Sequence, residues 1–353
     1  MKSDPIGVVV IGTGGMGQLH VQNCVESPDA ELVGVYDVAP EAARRVAAQF
    51  GVKKVYESLN DAVSEPRADA VIVATPNMFH RESVVAALEV GKHCLCEKPL
   101  AVRAADIAAM IAARDRSGRL LMTAQHLRFE ERSRTLKRMI DAGRLGDVYY
   151  TRAWWLRRRF APTTPGFLTR AQAGRGPGMD LGVHVLDLAL HLLDQPTPAS
   201  VSGVATCQLG RRPDVTNQWG TYAPAAFEVE DFAAGLIRFA DGAALSLEVS
   251  WLLNMPEPEL CSVWLHGTEG GVRWPDLRLA HVQEGALVDT KVVSGLGTDG
   301  HRSELHAFLA AIRSGGPSPV PAEQSLTVAR VLEALYASAE SGREVRLDAA
   351  PRV

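Results

Sequence analysis

The chain has 353 residues, 46% of them hydrophobic, and a formal net charge of -4, so it is long for one domain, ordinary for two, and apolar enough to fill two cores. The acidic balance, without a basic stripe or a long like-charged block, excludes nucleic acid as a partner, and no apolar run reaches membrane-spanning length. Five cysteines, an odd number with no C-x-x-C pair, read as reduced thiols of a cytoplasmic protein. The short apolar run near the start serves better as a strand than as the core of a signal peptide.

In chain order, Ile6 to Ile11 reads as a buried strand. Gly12, Gly14 and Gly17 follow in G-x-G-x-x-G spacing, Gly15 and Met16 open a helix to about Ser27, and Glu31 to Tyr36 forms a second strand that delivers Asp37. The glycines serve separate needs: one permits the tight turn, one lets backbone approach a pyrophosphate, and one lets the helix pack close to the strand. Phosphate then rests on the helix N-terminus, and Asp37 is placed to bond the ribose hydroxyls. A lone glycine turn need bind nothing; strand, helix and Asp37 together predict a dinucleotide. Val38, Ala39 and Pro40 put no positive charge beside the ribose, which favours NAD, while Arg44 and Arg45 on the next helix keep NADP open.

Further short apolar runs, Ala70 to Ala74, His93 to Cys96 and Leu120 to Thr123, alternate with predicted helices over Pro40 to Phe50, Met78 to Val90 and Arg103 to Arg116. This alternation predicts a parallel, doubly wound sheet. Cys94 and Cys96 alternate around Leu95 and read as buried strand residues. Thr75-Pro76-Asn77 and Glu97-Lys98-Pro99 end two of the strands, which sets Lys98 at the carboxyl edge where such folds bind ligands. His80, at a helix start, reads more readily as a first-turn residue than as a catalyst. Gln125, His126 and Arg128 follow the last of these strands and are expected to line the floor of a pocket.

After a helix from about Glu130 to Ala142 the pattern changes to longer strands: Val148 to Trp155, Val201 to Gln208, Phe232 to Phe239, Ala244 to Trp251 and Cys261 to His266. Asp241-Gly242 is a hairpin signal. The expected architecture is an N-terminal Rossmann domain over residues 1–126, then an α+β domain over 127–353 with an open, mostly antiparallel sheet and helices on one face. Arg159 to Gly178, Gly210 to Ala226 and Ser314 to Pro321 read as loops; Ser303 to Arg313 and Gln324 to Ser341 read as helices before a short strand near Glu344 to Leu347.

Asp180, His184, Asp187 and His191 recur at steps of four, three and four, which keeps them on one stripe of a helix whose other faces are apolar. Buried polar groups need partners. Metal binding ranks low, because His184 and His191 lie two turns apart; internal pairing suits Asp187 and His191; proton transfer suits His184, with Asp180 orienting it. Trp154, Trp155 and Arg157 to Arg159 suggest an aromatic and cationic rim that suits a sugar ring, or an anionic group held by arginine.

Together these segments resemble the Gfo/Idh/MocA family of NAD(P)-dependent oxidoreductases. The likeness rests on Gly12-Thr13-Gly14-Gly15-Met16-Gly17, Thr75-Pro76-Asn77, Glu97-Lys98-Pro99-Leu100, Asp180-Leu181-Gly182-Val183-His184, Glu230-Asp231 and the Gly267-Thr268-Glu269-Gly270 turn. The resemblance implies that Lys98, Asp180 and His184 are catalytic, and that the second domain binds substrate and builds a homodimer or homotetramer. The expected cofactor contacts are Gly12, Gly14, Gly15, Met16, Gly17, Asp37, Thr75, Pro76, Asn77, His80, Glu97 and Lys98. Those expected for substrate are Lys98, Gln125, Arg128, Trp154, Arg157, Asp180 and His184, and no metal is expected. The implied reaction is hydride transfer between nicotinamide and a secondary hydroxyl of a sugar, glycoside or cyclitol. Two rival readings remain: an NAD-dependent glycoside hydrolase that oxidises its substrate transiently, and a non-catalytic nucleotide sensor.

Overall fold

The computed structural model describes residues 4–294 and 299–347. It divides into two units, Met1–His126 with Asp299–Leu326, and Leu127–Thr298 with Thr327–Val353.

The first unit holds a parallel sheet of β1 (Ile6–Ile11), β2 (Ala30–Tyr36), β3 (Ala70–Val73), β4 (His93–Cys96) and β5 (Leu121–Thr123), in the order β2-β1-β3-β4-β5. β1 and β3 are buried along their whole length, which is why they read in sequence as unbroken apolar runs. A parallel bridge from Val35 to Val55 adds a one-residue vestige of a strand outside β2, giving the Rossmann order. The chain leaves β1 toward one edge and returns at β3 on the other side, so the carboxyl ends of β1 and β3 flank the crevice where such sheets bind ligands.

The division of the chain is corrected at one point, because residues 299–326 belong to the first unit rather than the second. Pro321 forms an antiparallel bridge with Met122, Ser325 Oγ donates to Thr123 Oγ1 at 2.8 Å, and Arg114 is paired with Glu323 at 2.7 Å. The Gly300–Ser314 helix packs on the Gly15–Glu26 helix, with Arg302 bonded to Glu26. This segment satisfies the edge of β5 that a unit ending at residue 126 would leave bare.

The second unit is built on a nine-stranded sheet of β6 (Val148–Arg157), β7 (Pro198–Thr206), β8 (Phe232–Phe239), β9 (Ala244–Ser250), β10 (Glu259–Gly267), β11 (Gly270–Trp274), β12 (Arg278–Gln283), β13 (Ala286–Lys291) and β14 (Val345–Arg346). The order is β13-β12-β11-β10-β6-β9-β8-β7-β14, antiparallel among the described residues except where β6 meets β9. β11 to β13 extend the predicted sheet.

One register row, Val201, Ile237, Leu245, Thr151, Leu265, Val272 and Leu279, runs across seven strands and is buried throughout. The next row on the same face carries Gly203, Gly235, Leu247, Ala153, Val263 and Trp274. The helices cover this face. Leu335 of the Ala322–Ser341 helix sits against Gly203 and Gly235, where a Cβ at either glycine would come within 3 Å of it.

Local corrections follow from backbone detail. The single helix expected through Asp180 and His184 is a π turn, Gly178–Gly182, followed by an α-helix over Val183–Leu192. The predicted loop 159–178 contains short helices at Pro165–Leu168 and Arg170–Ala173, and a 3₁₀ turn at Asn77–Phe79 precedes the His80–Glu89 helix. Among the described residues no helix is long and apolar enough to cross a membrane, and no three His, Cys, Asp or Glu side chains gather as a metal ion would require.

Candidate active site

In the first unit the glycine turn does what its spacing predicts. Gly12 has φ +91° and a Cβ there would lie 2.5 Å from the Ala74 carbonyl oxygen; a Cβ on Gly17 would lie 2.0 Å from the oxygen of Gly12. Nothing stands within 4 Å of where a Cβ would be on Gly14 or Gly15, so backbone amides at the helix start are open to a phosphate. Asp37 stands at the end of β2 and accepts from the Thr13 N–H at 2.7 Å, the Thr13 hydroxyl at 2.9 Å and the Ala39 N–H at 2.9 Å. It therefore braces the turn as well as facing the place expected for ribose. Arg44 is exposed and bonded to Glu41 on its own helix. Thr75 Oγ1, at the end of β3, is buried without a hydrogen-bond partner among the described residues. An open helix start, a braced carboxylate and an orphaned hydroxyl fit a dinucleotide. Replacing Asp37 with alanine removes charge-assisted bonds worth about 1.5–3 kcal/mol each, so KM for NAD is expected to rise about 10- to 100-fold while NADP use falls less or improves. Initial rates with the two nucleotides check this; an unchanged preference contradicts the role of Asp37.

Lys98 follows β4 and is half-buried, with a cis peptide bond to Pro99. Its backbone N–H donates to Glu97 Oε2 at 3.1 Å, while Glu97 Oε1 is bonded to the buried His20 ring of the dinucleotide helix at 2.8 Å. Burial works to raise the Glu97 carboxyl, but the His20 hydrogen bond and the charges of His20, Lys98 and His301 outweigh it and hold the group at about 2. Glu97 is thus a buried anion next to Lys98 in the chain.

His80 is fully buried, and its two ring nitrogens face the carbonyls of Pro99 and Thr75, each at 2.8 Å. It links the ends of β3 and β4 behind Thr75-Pro76-Asn77 and Lys98. Gln125 is buried with its Oε1 unpartnered among the described residues, and His126 stacks on His301 at 4.0 Å.

In the second unit the π turn sets Asp180 out of ordinary helical register with His184, a distortion frequent at functional positions. Asp180 Oδ2 accepts from the Trp251 indole at 3.0 Å. His184 is 6% exposed and its ring lies 5.6 Å from that of Trp155. β6 decides which aromatic residues share this face. Trp155 pairs in register with Val249 and Cys261 on the helix-covered side, two residues from buried Ala153, and Arg157 follows it over the Trp155 ring. Trp154 lies on the opposite face, against Trp264 and Arg152, so Trp155 and not Trp154 shares the face of His184.

The arginines are committed within the unit. Arg157 Nε donates to Glu259 Oε1 at 2.7 Å and its guanidinium lies between the Trp155 and Trp219 rings. Arg158 reaches the Pro256 carbonyl, and Arg159 the Leu253 carbonyl and Asn254. Arg128, expected to meet substrate, instead makes two buried 2.6 Å bonds to Asp187, the internal partner expected for that carboxylate. Burial, with the charges of Arg128 and Lys137, pushes the His191 imidazole down to about 4. Trp219, Trp251 and Tyr336 were not singled out for a site, since nothing local to a lone aromatic marks it.

The glycine turn braced by Asp37 defines a dinucleotide-binding protein. Residues 6–125 match the profile of an oxidoreductase family with an NAD-binding Rossmann fold, and residues 133–273 match the GFO/IDH/MocA C-terminal domain. The chain belongs to the Gfo/Idh/MocA family. It is 30% identical to the D-glucoside 3-dehydrogenase of Escherichia coli K12 across 98% of this chain and 99% of that protein. Identity to the myo-inositol 2-dehydrogenase of Thermotoga maritima is 26% across 96% and 98%. A levoglucosan dehydrogenase solved with NADH and L-sorbose is similar with a TM-score of 0.85 and 25% identity, over 98% of this chain and all of that one.

Proposed function

We propose that the protein is an NAD-dependent dehydrogenase that moves hydride between nicotinamide and a secondary hydroxyl, or the matching ketone, of an uncharged sugar, glycoside or cyclitol. The carrying observation is the chemistry around His184: an imidazole beside an indole face, with the three neighbouring arginines held by Glu259 and by backbone carbonyls. An indole face suits the apolar side of a sugar ring, and arginines already neutralised or bonded offer no cradle for a substrate carboxylate or phosphate. The names of the relatives, a glucoside, an inositol and an anhydrosugar dehydrogenase, agree with this class.

Nicotinamide, when bound, accepts the hydride. His184 takes the hydroxyl proton, Asp180 orients the imidazole, and the Lys98 ammonium stabilises the alkoxide that develops as the proton leaves. A panel of methyl glucosides, free sugars and inositols, with sugar acids and sugar phosphates as the charged arm, each offered with NAD and with NADP, tests the reading at the reduced-nicotinamide absorbance. Turnover confined to the charged arm would overturn it. Release of an aglycone without net nicotinamide reduction would identify transient-oxidation hydrolysis instead.

A further inference from the structure

The Gly176-Pro177-Gly178 segment and the π turn after it are held from outside by side chains that the proposed mechanism does not use. Glu230 Oε1 accepts from the Gly176 N–H at 2.9 Å, the Gly178 N–H at 3.4 Å and the Tyr336 hydroxyl at 2.6 Å. A Cβ on Gly176 would fall 2.2 Å from the Glu230 carbonyl oxygen, and one on Gly178 would fall 2.1 Å from the Tyr336 hydroxyl. The segment is therefore clamped between these two residues. The adjoining Asp231 takes the Trp251 N–H on its carbonyl at 3.0 Å, and its carboxylate accepts the N–H groups of Gln208, Leu209 and Gly210.

Trp251 is fully buried and set edge-on to Phe227 at 6.2 Å and 77°. Its backbone is pinned to Asp231, its ring is packed, and its indole N–H points at Asp180 Oδ2. An indole is a donor only. It therefore gives the Asp180 carboxyl oxygen a fixed donor and sets its direction.

We infer that Trp251, acting on a turn that Glu230 and Tyr336 clamp, is a positioning device for proton transfer: it aims the Asp180 carboxylate and limits how strongly that carboxylate holds the charged imidazole of His184. The inference rests on the roles of Asp180 and His184 proposed above. A carboxylate that loses a donor becomes more basic and stabilises a neighbouring imidazolium more.

The test is the titration of His184 by NMR in protein labelled with ¹³C-histidine, the resonance being assigned by its loss in His184→Asn. Trp251→Phe keeps an aromatic ring and deletes the donor. It is expected to raise the His184 pKa by about half a unit to one unit. Phe227→Leu disturbs the same aromatic stack without touching Asp180 and is expected to leave it in place. Arg157 and Glu259 beside Trp155, the Arg128–Asp187 pair a turn further along, and Glu230 are unchanged in both variants. An unmoved His184 pKa in Trp251→Phe, or an equal move in Phe227→Leu, overturns the inference.

Asp180→Asn separates the two layers. If it lowers the His184 pKa while Trp251→Phe does nothing, positioning by Trp251 fails and the Asp180–His184 reading stands; if it also leaves His184 unmoved, both fail. Should Trp251→Phe not fold, Tyr336→Phe, which removes the hydroxyl on Glu230, is read in its place, with a smaller upward move in support and none against.

Discussion

Replacing His184 with asparagine is expected to lower kcat for the sugar that the panel identifies by about 10²–10⁴-fold, the usual contribution of a positioned general base. Asparagine keeps a polar side chain of similar volume on a helix that is almost wholly buried, so the loss reads as chemistry rather than collapse. Dissociation constants for NAD and NADH are expected to stay within about threefold of the parent, because His184 is assigned to substrate chemistry alone. Nucleotide titration followed by single-turnover absorbance separates the two quantities. Wild-type turnover in the variant removes His184 from the mechanism.

The second large effect concerns stability. Arg128 and Asp187 are both almost fully buried and share two 2.6 Å bonds. Arg128→Met leaves the Asp187 carboxylate without its counter-charge inside the core, a change that costs about 3–5 kcal/mol out of a typical total of about 5–15 kcal/mol. The double change Arg128→Met with Asp187→Leu is expected to recover most of that loss, because it removes both charges instead of one. All six tryptophans lie between Trp154 and Trp274, so indole fluorescence during urea unfolding reports the second unit alone. A single variant as stable as the parent would show that the pair is not buried in the way described.

How much of this was legible depended on whether the physics was local. β1, β4 and β8 were bounded to the residue, because buried parallel strands and a clean hairpin leave little freedom in where an apolar run begins and ends. The glycine turn with Asp37 was equally readable, since each glycine answers a steric demand made within its own βαβ unit. The partner of residues 299–326 was not: an amphipathic helix states that it has an apolar face but not which sheet edge will receive it. Arg128 was read as a pocket residue because its partner, Asp187, lies fifty-nine positions away. The π turn also escaped, since a one-residue slip of register within a five-residue segment has no compositional mark beyond its glycines. β11 to β13 were passed over although Pro275 and Gly285 punctuate them, because Arg273 and Arg278 interrupt the apolar alternation. Trp154 and Trp155 were read together as one rim, although neighbouring strand residues point to opposite faces.

The late return of the chain to β5 bears on how the protein is made. Met122 and Thr123 receive their neighbours from Val320, Pro321 and Ser325, so the nucleotide-binding sheet emerges from the ribosome nearly two hundred residues before the segment that finishes it. During that interval an apolar strand edge waits open, and a chain released early, even one carrying the whole of the second sheet, would be left with that edge unpaired and prone to aggregate.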